Sequence, residues 1–287
     1  MTVVWHDYHT KYAGPAHTAV GIIKRCEAVY SPQLDNQREL LVYLPPSYEY
    51  DEAARYPVLY MHDGYNLFDA ATSYIGEWQV DETLQMLSVE GIEAIVVGIP
   101  NRDDQEPDSR RREYSPYPNA AYGVETGQGA AYMAFLAETV KPLIDASFRT
   151  LPDREHTGLA GSSLGGLISL YGFLQYPAVF GLAGVFSPAF WFTAGAIFDY
   201  VAAAAFQPGR IYMDVGTAEG ANLSDDKTAA LAQSMRYVTD ARRMRDLLVQ
   251  KGCHPGHNFV YVEDEGGIHN ESAWARRLPG ALRFLLG

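Results

Sequence analysis

Short apolar runs alternate along the chain with longer stretches in which apolar residues recur every three or four positions. The short continuous runs are typical of strands buried on both faces, and the longer stretches are typical of amphipathic helices. We expect strands at 57–61, 92–99, 157–160, 180–186, 210–215 and 257–262, and helices at 80–88, 129–146, 164–175, 228–251 and 273–286. This alternation predicts an α/β fold with a mostly parallel central sheet and helices on both faces.

The N-terminal part of the chain has a different pattern. Residues 18–30 and 38–44 are rich in β-forming side chains, and they are followed by Pro32 and by Pro45-Pro46. We therefore expect two antiparallel strands at the start of the sheet. The sequence contains no internal repeat, and the order of elements predicts one domain over residues 1–287.

One segment, 100–127, differs from the rest because it is polar, rich in proline and long for a connection. Connections of this length without structure of their own are often functional. The segment follows a predicted strand, so it is expected at the carboxyl edge of the sheet, where α/β proteins place their sites. We interpret it as an inserted wall or lid over a site, with an idle surface loop as the alternative.

Composition and charge narrow the class of protein. Hydrophobic residues make up 47% and charged residues 20% of the 287 residues, which excludes a disordered chain. The 22 basic and 35 acidic residues give a net charge of −13, so we expect neither a nucleic-acid partner nor binding to anionic lipid. The chain shows no membrane-spanning apolar window and no signal-peptide pattern, and the expected location is the cytoplasm.

Cysteine and histidine spacing gives little support for a metal site. Cys26 and Cys253 are too few for a disulfide scaffold or a four-cysteine zinc site, and we expect two reduced thiols, with one bridge as the alternative. His254 and His257 lack a nearby third ligand, and so do His62 and Asp63. We therefore expect no metal and no cofactor.

The most specific motif is Gly161-Ser162-Ser163-Leu164-Gly165, a G-x-S-x-G sequence between a predicted strand and a predicted helix. That context is typical of a nucleophile elbow, in which the serine lies on a sharp turn and small neighbours avoid collisions. The start of the following helix also favours developing negative charge. We interpret Ser163 as a nucleophile, with a purely structural turn as the alternative.

A serine needs a base, usually histidine, and an acid that orients the base; in this arrangement the chain order is serine, acid, histidine. His269 follows the last predicted strand in a glycine-containing loop, whereas His254 and His257 lie at the other end of that strand. We expect His269 to be the base. Glu219, in the loop after strand 210–215, is favoured as the acid, and Asp214 within that strand is the alternative.

Ester chemistry also needs backbone donors for the oxyanion. The N–H of Leu164, directly after the nucleophile, is one candidate. The second is expected from the loop that follows strand 57–61, where Gly64 permits close approach and Tyr65 comes next. Each such donor stabilises the transition state by roughly 3 kcal/mol.

These segments together resemble the putative-esterase family of α/β-hydrolases. The resemblance is carried by residues 57–69, 157–166, 214–220 and 269–279, and it extends from about Thr18 to the end of the chain. The family includes enterochelin-type siderophore esterases, feruloyl and acetyl-xylan esterases, S-formylglutathione hydrolase and the mycolyltransferases. The resemblance implies an α/β-hydrolase fold, with Ser163 as nucleophile, Glu219 as acid in its Gly-Thr-x-Glu segment and His269 as base.

Departures from the family patterns narrow this expectation. The Ser-Gly-Leu-Thr-Cys pattern of S-formylglutathione hydrolases is absent and no leader like that of secreted mycolyltransferases is visible, and we expect no counterpart of the extra N-terminal domain of enterochelin esterases. The chain resembles a stand-alone intracellular esterase near the siderophore-hydrolase branch or the small bacterial esterases.

Candidate substrate-binding residues are less specific. Arg110-Arg111-Arg112 is a basic cluster in the 100–127 segment, and we expect Arg112 to point inward, where it could bind a carboxylate, a catecholate or an iron complex of a substrate. A solvated surface run is the alternative. Trp191, within Phe190-Trp191-Phe192, is expected to form a wall of an acyl pocket, with core packing as the alternative. His62 is expected to line the site.

The sequence therefore predicts a serine carboxylic-ester hydrolase that acts through an acyl-enzyme on small acyl, siderophore-type or aryl esters. An acyltransferase of the same fold and a non-catalytic binding protein on a hydrolase scaffold are the alternatives. The expected partner is a small-molecule ester, and the sequence leaves the oligomeric state open.

Overall fold

Nine strands form a single mixed sheet in the computed structural model, which describes residues 3–287. The strands are β1 (His6–Asp7), β2 (Ile22–Ser31), β3 (Asn36–Leu44), β4 (Val58–His62), β5 (Ile95–Ile99), β6 (Thr157–Ser162), β7 (Leu182–Phe186), β8 (Arg210–Gly216) and β9 (Phe259–Asp264). Their order is β1-β2-β3-β5-β4-β6-β7-β8-β9. The pairs from β1 to β5 in this order are antiparallel, and all pairs from β5 to β9 are parallel.

Helices cover both faces of this sheet. They are α1 (Val80–Ser88), α2 (Ser109–Glu113), α3 (Gly129–Ala134), α4 (Lys141–Ser147), α5 (Leu164–Gln175), α6 (Ala196–Ala203), α7 (Lys227–Gln250) and α8 (Glu271–Leu286). A π-helical stretch, Phe135–Val140, joins α3 to α4. The structure thus confirms the predicted α/β fold with a mostly parallel sheet between helical layers.

The two hydrophobic cores follow from the alternation of side chains along the strands. In β4, Val58 and Tyr60 belong to the core that includes α3, α5 and α7, whereas Leu59 and Met61 belong to the core that includes α1 and α8. Because both faces are buried, the strand is apolar throughout, which is why its pattern was readable in the sequence.

Three short elements were not predicted. The two-residue β1 pairs with Lys24 and Arg25 of β2, α2 lies inside the 100–127 segment, and α6 leads into the alanine run 202–205. Such elements are too short for a periodic pattern to develop. Cys26 and Cys253 are both buried and free, so the alternative of a single bridge is wrong.

The 100–127 segment is packed against the sheet through a buried ion pair. Glu113 in α2 accepts two hydrogen bonds from the Arg38 guanidinium of β3, at 2.8 and 2.7 Å, and the two residues are 1% and 2% exposed. A buried charge is tolerated only when a partner compensates it. The pair therefore anchors this segment to β3. The single-domain organisation and the interpretation of the segment as a wall or lid over a site stay predictions.

Among the helices of residues 3–287, none combines the length and the apolar character that a membrane crossing requires.

We expect Glu113→Ala to lower the free energy of unfolding by about 3–5 kcal/mol, because it leaves the Arg38 charge buried without a partner. Glu125→Ala, in the same segment but exposed, is the control and should change it by less than about 0.5 kcal/mol. Urea denaturation measures both values. Equal losses in the two variants would contradict the role assigned to the ion pair.

Candidate active site

Ser163 lies on a sharp turn between β6 and α5, with φ 59° and ψ −120°. This left-handed backbone is strained for a non-glycine residue and needs support from its surroundings. The support comes from the neighbouring strand and its loop: Ser163 N–H donates to the Phe186 carbonyl at 2.9 Å, and Ala189 N–H donates to the Ser163 carbonyl at 2.9 Å. The sheet therefore holds the serine in the elbow conformation.

Gly161 is required at this turn because a side chain at this position would not fit. A Cβ at this position would lie 2.8 Å from Cδ2 of His62 and 2.9 Å from the carbonyl carbon of Gly165. Contacts this short do not occur with real Cβ atoms, so the first glycine of the G-x-S-x-G motif is fixed by packing.

His269 and Glu219 are brought together by the loops that follow β8 and β9. Nδ1 of His269 lies 2.6 Å from Oε2 of Glu219. The carboxylate is fully buried and the imidazole is 10% exposed. Because Nδ1 is occupied by the carboxylate, Nε2 is left as the nitrogen that can accept a proton.

The other oxygen of Glu219 is held equally firmly. Oε1 accepts a hydrogen bond from Gly216 N–H at 2.6 Å and from the Ser187 hydroxyl at 2.5 Å. Ser187 Oγ in turn accepts from Trp274 Nε1 at 2.9 Å and from Arg277 Nη2 at 2.8 Å. This network fixes the carboxylate orientation, and the sequence reasoning did not find Ser187, which lies in no motif.

Asp214, the alternative acid, has different partners. It accepts from Arg277 Nε at 2.8 Å, from the Tyr212 hydroxyl at 3.1 Å and from Ser187 N–H at 3.0 Å. It is fully buried, and no hydrogen bond joins it to His269 in the described part of the chain. The geometry therefore pairs Glu219 with His269 and gives Asp214 the role of supporting Ser187 and Arg277.

The His269 ring is enclosed by two aromatic side chains. Its centroid lies 4.9 Å from that of Tyr237 and 5.1 Å from that of Trp274. Tyr237 comes from the middle of α7, where the only signal in the sequence is the spacing of one buried helix face. Sequence reasoning therefore missed a residue in direct contact with the imidazole.

The loop after β4 lies against the start of α5. Asp63 has φ 56°, and a short 3₁₀ turn, Gly64–Asn66, follows it. A Cβ on Gly64 would lie 2.7 Å from backbone atoms of Gly98 and Pro100, so only glycine fits. Within residues 3–287, the backbone N–H groups of Gly64, Tyr65 and Leu164 have no hydrogen-bond acceptor, which leaves them free to serve as donors.

A partly buried ion pair braces this loop. Arg110 donates from Nε and Nη2 to the two carboxylate oxygens of Asp63, both at 2.7 Å, and Asn101 donates to Oδ1 at 2.9 Å. Burial favours the neutral acid, but Arg110 and Asn101 outweigh it and hold the pKa of Asp63 below its usual value. The ion pair ties the 100–127 segment to the turn that carries Gly64.

The expectation that Arg112 points inward is wrong. Arg112 pairs with exposed Glu106 and donates to the Pro107 carbonyl at 3.2 Å, whereas Arg110 reaches Asp63. The reason is helical geometry, because two positions along α2 correspond to roughly 200° of rotation. The inward-facing cation is therefore already paired with the protein's own carboxylate.

His62 supports the elbow instead of lining an open pocket, which corrects the expectation for this residue. It is 2% exposed, and Nδ1 lies 2.8 Å from the Tyr132 hydroxyl. Burial lowers the pKa of His62 to about 3, so the ring is neutral near pH 7.

Trp191 is partly buried in an aromatic cluster beside Tyr237. Its ring centroid lies 5.4 Å from that of Tyr122 and 6.0 Å from that of Tyr237. Its indole Nε1 is buried and has no hydrogen-bond partner within residues 3–287. Trp191 thus packs beside a side chain that contacts His269, and its role as a wall of an acyl pocket stays a prediction.

One carboxylate cluster in the described part of the chain has metal-ligand spacing. Ligand atoms of Glu77, Asp81 and Glu82 lie within 4.8 Å of one another. Burial raises the pKa of Asp81 to about 9, and the charge of the neighbouring Glu82 acts in the same direction. The expectation of no metal stays a prediction.

Comparisons with known proteins identify the family and the fold of this chain. The family model described as "Putative esterase" matches residues 31–285. The protein YbbA of Bacillus subtilis is 27% identical over 256 residues, which cover 87% of this chain and 93% of YbbA.

Two solved structures share the fold. Siderophore hydrolase EstB from Aspergillus nidulans has a TM-score of 0.69 at 19% identity, covering 96% of this chain and 97% of EstB. The BES protein from Bacillus cereus has a TM-score of 0.68 at 19% identity, covering 96% of this chain and 99% of BES. At this identity the likeness concerns the fold alone.

We expect Arg110→Met to lower the free energy of unfolding by about 2–4 kcal/mol, because the Asp63 charge then loses its bidentate partner. Arg112→Met is the matched control and should cost less than about 1 kcal/mol, since its ion pair is solvent-exposed. Chemical denaturation of both variants measures the difference. A larger loss of stability in Arg112→Met than in Arg110→Met would contradict the assignment of Arg110 as the inward-facing arginine.

Proposed function

The chain belongs to the "Putative esterase" family of carboxylic ester hydrolases, and on this premise we propose that Ser163, His269 and Glu219 form its catalytic triad. The observation that carries the proposal is the 2.6 Å contact between His269 Nδ1 and a fully buried Glu219 carboxylate. Together with a serine on a strained elbow, this contact supports the assignment of a nucleophile, a base and an acid, the three roles that nucleophilic catalysis by serine uses.

The first half-reaction would acylate the serine. His269 Nε2 accepts the Ser163 hydroxyl proton while Oγ attacks the ester carbonyl carbon, and the carbonyl electron pair moves onto oxygen. Glu219 stabilises the resulting imidazolium and keeps its ring oriented. When the tetrahedral intermediate collapses, the carbon–oxygen bond to the leaving alcohol breaks and His269 gives its proton to that alcohol.

The oxyanion would be stabilised by backbone donors. Leu164 N–H at the start of α5 is the first donor, and the N–H of Gly64 or Tyr65 is the second. The tight packing of Gly64 against β5 and the ion pair of Asp63 support this assignment, because preorganised donors need no rearrangement during reaction. In the second half-reaction water is the nucleophile. His269 deprotonates it, its oxygen attacks the acyl carbon, and the bond to Ser163 Oγ breaks to release the carboxylic acid.

The substrates we propose are small acyl, siderophore-type or aryl esters. The siderophore class is supported by the shared fold with EstB, whose name describes a siderophore hydrolase. The aryl class is supported by the aromatic cluster of Trp191, Tyr122 and Phe192 near His269. A cytoplasmic location stays a prediction.

Ser163→Ala should lower kcat for p-nitrophenyl acetate by about 10⁴-fold or more, because no other group supplies the attacking oxygen. The substitution removes only an oxygen atom from a folded turn, so circular dichroism should be unchanged. A folded variant that keeps the wild-type rate would overturn the proposed function.

Glu219→Gln and Asp214→Asn separate the two candidate acids. The first should lower kcat by about 10²–10⁴-fold, since the amide no longer fixes the His269 tautomer. The second should lower stability through Arg277 but leave kcat within about tenfold of wild type, since two residues, Ser187 and Glu219, lie between Asp214 and the imidazole. Ester hydrolysis and urea denaturation of both variants test this; the reverse order of kcat losses is the contradicting result.

A further inference from the structure

Three carboxyl groups converge where α1 begins. Ligand atoms of Glu77, Asp81 and Glu82 lie within 4.8 Å of one another. Asp81 is fully buried, and the other two side chains are partly buried. Negative charges this close repel one another strongly away from water, so a folded protein has to compensate them with protons, with basic side chains or with a cation.

Basic side chains do not compensate this cluster. Within residues 3–287, no lysine, arginine or histidine forms an ion pair with any of the three carboxylates. The Thr18 hydroxyl donates to Oε2 of Glu77 at 2.9 Å, and Val20 N–H donates to Oδ2 of Asp81 at 2.7 Å. These neutral donors hold the carboxyl groups in place but bring no positive charge to them.

Each of the three carboxyl groups also keeps one buried oxygen without a donor. Oε1 of Glu77, Oδ1 of Asp81 and Oε2 of Glu82 have no hydrogen-bond partner in the described part of the chain. Buried polar atoms are normally satisfied, and an exception calls for a specific cause such as a bound ion. Three exceptions in one cluster, one on each carboxyl group, indicate a common ligand that all three oxygens contact.

The chemistry of the donors selects the kind of ligand. The cluster offers carboxylate oxygens and neither sulfur nor imidazole nitrogen, a set that suits the hard cations Ca²⁺, Mg²⁺ and Mn²⁺. Oxygens on opposite sides of Ca²⁺ lie about 4.6–5.2 Å apart, and those on opposite sides of Mg²⁺ lie about 4.0–4.2 Å apart. A spacing of up to 4.8 Å is within the range of Ca²⁺ and extends beyond that of Mg²⁺.

We propose that Glu77, Asp81 and Glu82 form a binding site for one Ca²⁺ ion, with one ligand oxygen from each carboxylate and water molecules in the remaining coordination positions. This site departs from the expectation of no metal that the sequence gave, because no motif marks these three positions. It does not depend on the proposed catalytic triad, since none of the three residues belongs to it.

The ion would stabilise a junction between three segments. The Thr18 hydroxyl, which donates to Glu77, also accepts from Ala70 N–H at 2.8 Å. Trp78 N–H donates to the Asn66 carbonyl at 2.8 Å, in the turn that carries Gly64. Residues 18–20, the loop after β4 and the start of α1 therefore meet beside the carboxyl groups, and compensation of the buried charge would hold them together.

Isothermal titration calorimetry of chelator-treated protein with calcium chloride tests the proposal. We expect one site per chain with a Kd below about 100 μM, and binding of Mg²⁺ that is weaker by about tenfold or more. Ca²⁺ at about a hundred times its Kd should raise the melting temperature by about 5 °C. Terbium(III), a luminescent substitute for Ca²⁺, should be sensitised by Trp78, the neighbour of Glu77, and displaced by Ca²⁺.

Two isosteric variants and a control locate the site. Glu82→Gln and Asp81→Asn should each weaken Ca²⁺ binding by about tenfold or more, because each removes a charged ligand. Asparagine at position 81 keeps an acceptor for Val20 N–H. Without Ca²⁺, neither variant should melt below chelator-treated wild type, since each reduces the repulsion in the cluster. Glu125→Gln, at an exposed carboxylate, should bind Ca²⁺ like wild type.

The proposal is overturned if wild type shows no saturable binding of Ca²⁺, or if both variants bind Ca²⁺ as tightly as wild type does. Variants that lose equal stability with and without Ca²⁺ would also overturn it, because the carboxyl groups would then act through packing and protons alone. Tighter binding of Mg²⁺ than of Ca²⁺ would refute the choice of ion. None of these measurements uses ester hydrolysis, so their outcome is separate from that of the Ser163→Ala test.

Discussion

The buried carboxylate of Glu219 is the constraint around which the rest of the site is arranged. A fully buried charge is tolerated only when each of its oxygens has partners. One oxygen meets His269, and the other accepts from Gly216 and Ser187. Satisfying Ser187 then brings in Trp274 and Arg277, and the charge of Arg277 brings in Asp214. The orientation of the imidazole is thus the end point of a continuous network that starts in β8 and α8.

A second set of interactions controls the opposite side of the serine. The Asp63–Arg110 pair braces the turn with the free N–H groups, and the Arg38–Glu113 pair fixes the helix that carries Arg110. The 100–127 segment is therefore connected to β3 by a buried ion pair and to the loop after β4 by a partly buried one, and α2 contributes one residue to each pair. Because both charges of each pair are compensated inside the protein, this segment stabilises the site instead of presenting a free basic patch.

The fold was predictable because strands buried on both faces, such as β4 and β7, leave continuous apolar runs. Ser163 was readable for a related reason, since packing at Gly161 forces a local motif. Other features depend on contacts between distant parts of the chain. Which arginine of α2 turns inward is set by Asp63, and the importance of Tyr237 depends on how α7 packs against the loop of His269. The local periodicity of a helix does not show which distant residue each of its side chains will contact.

Mapping the site of a fluorophosphonate adduct tests the central claim most directly, because the reagent forms a stable bond only with an activated serine oxygen. The intact protein would be labelled, digested and analysed by mass spectrometry. The account predicts a single adduct, on the peptide that contains Ser163, formed at a rate that depends on the intact Glu219–His269 pair. Absence of an adduct in the folded protein, or an adduct at another residue, would contradict it.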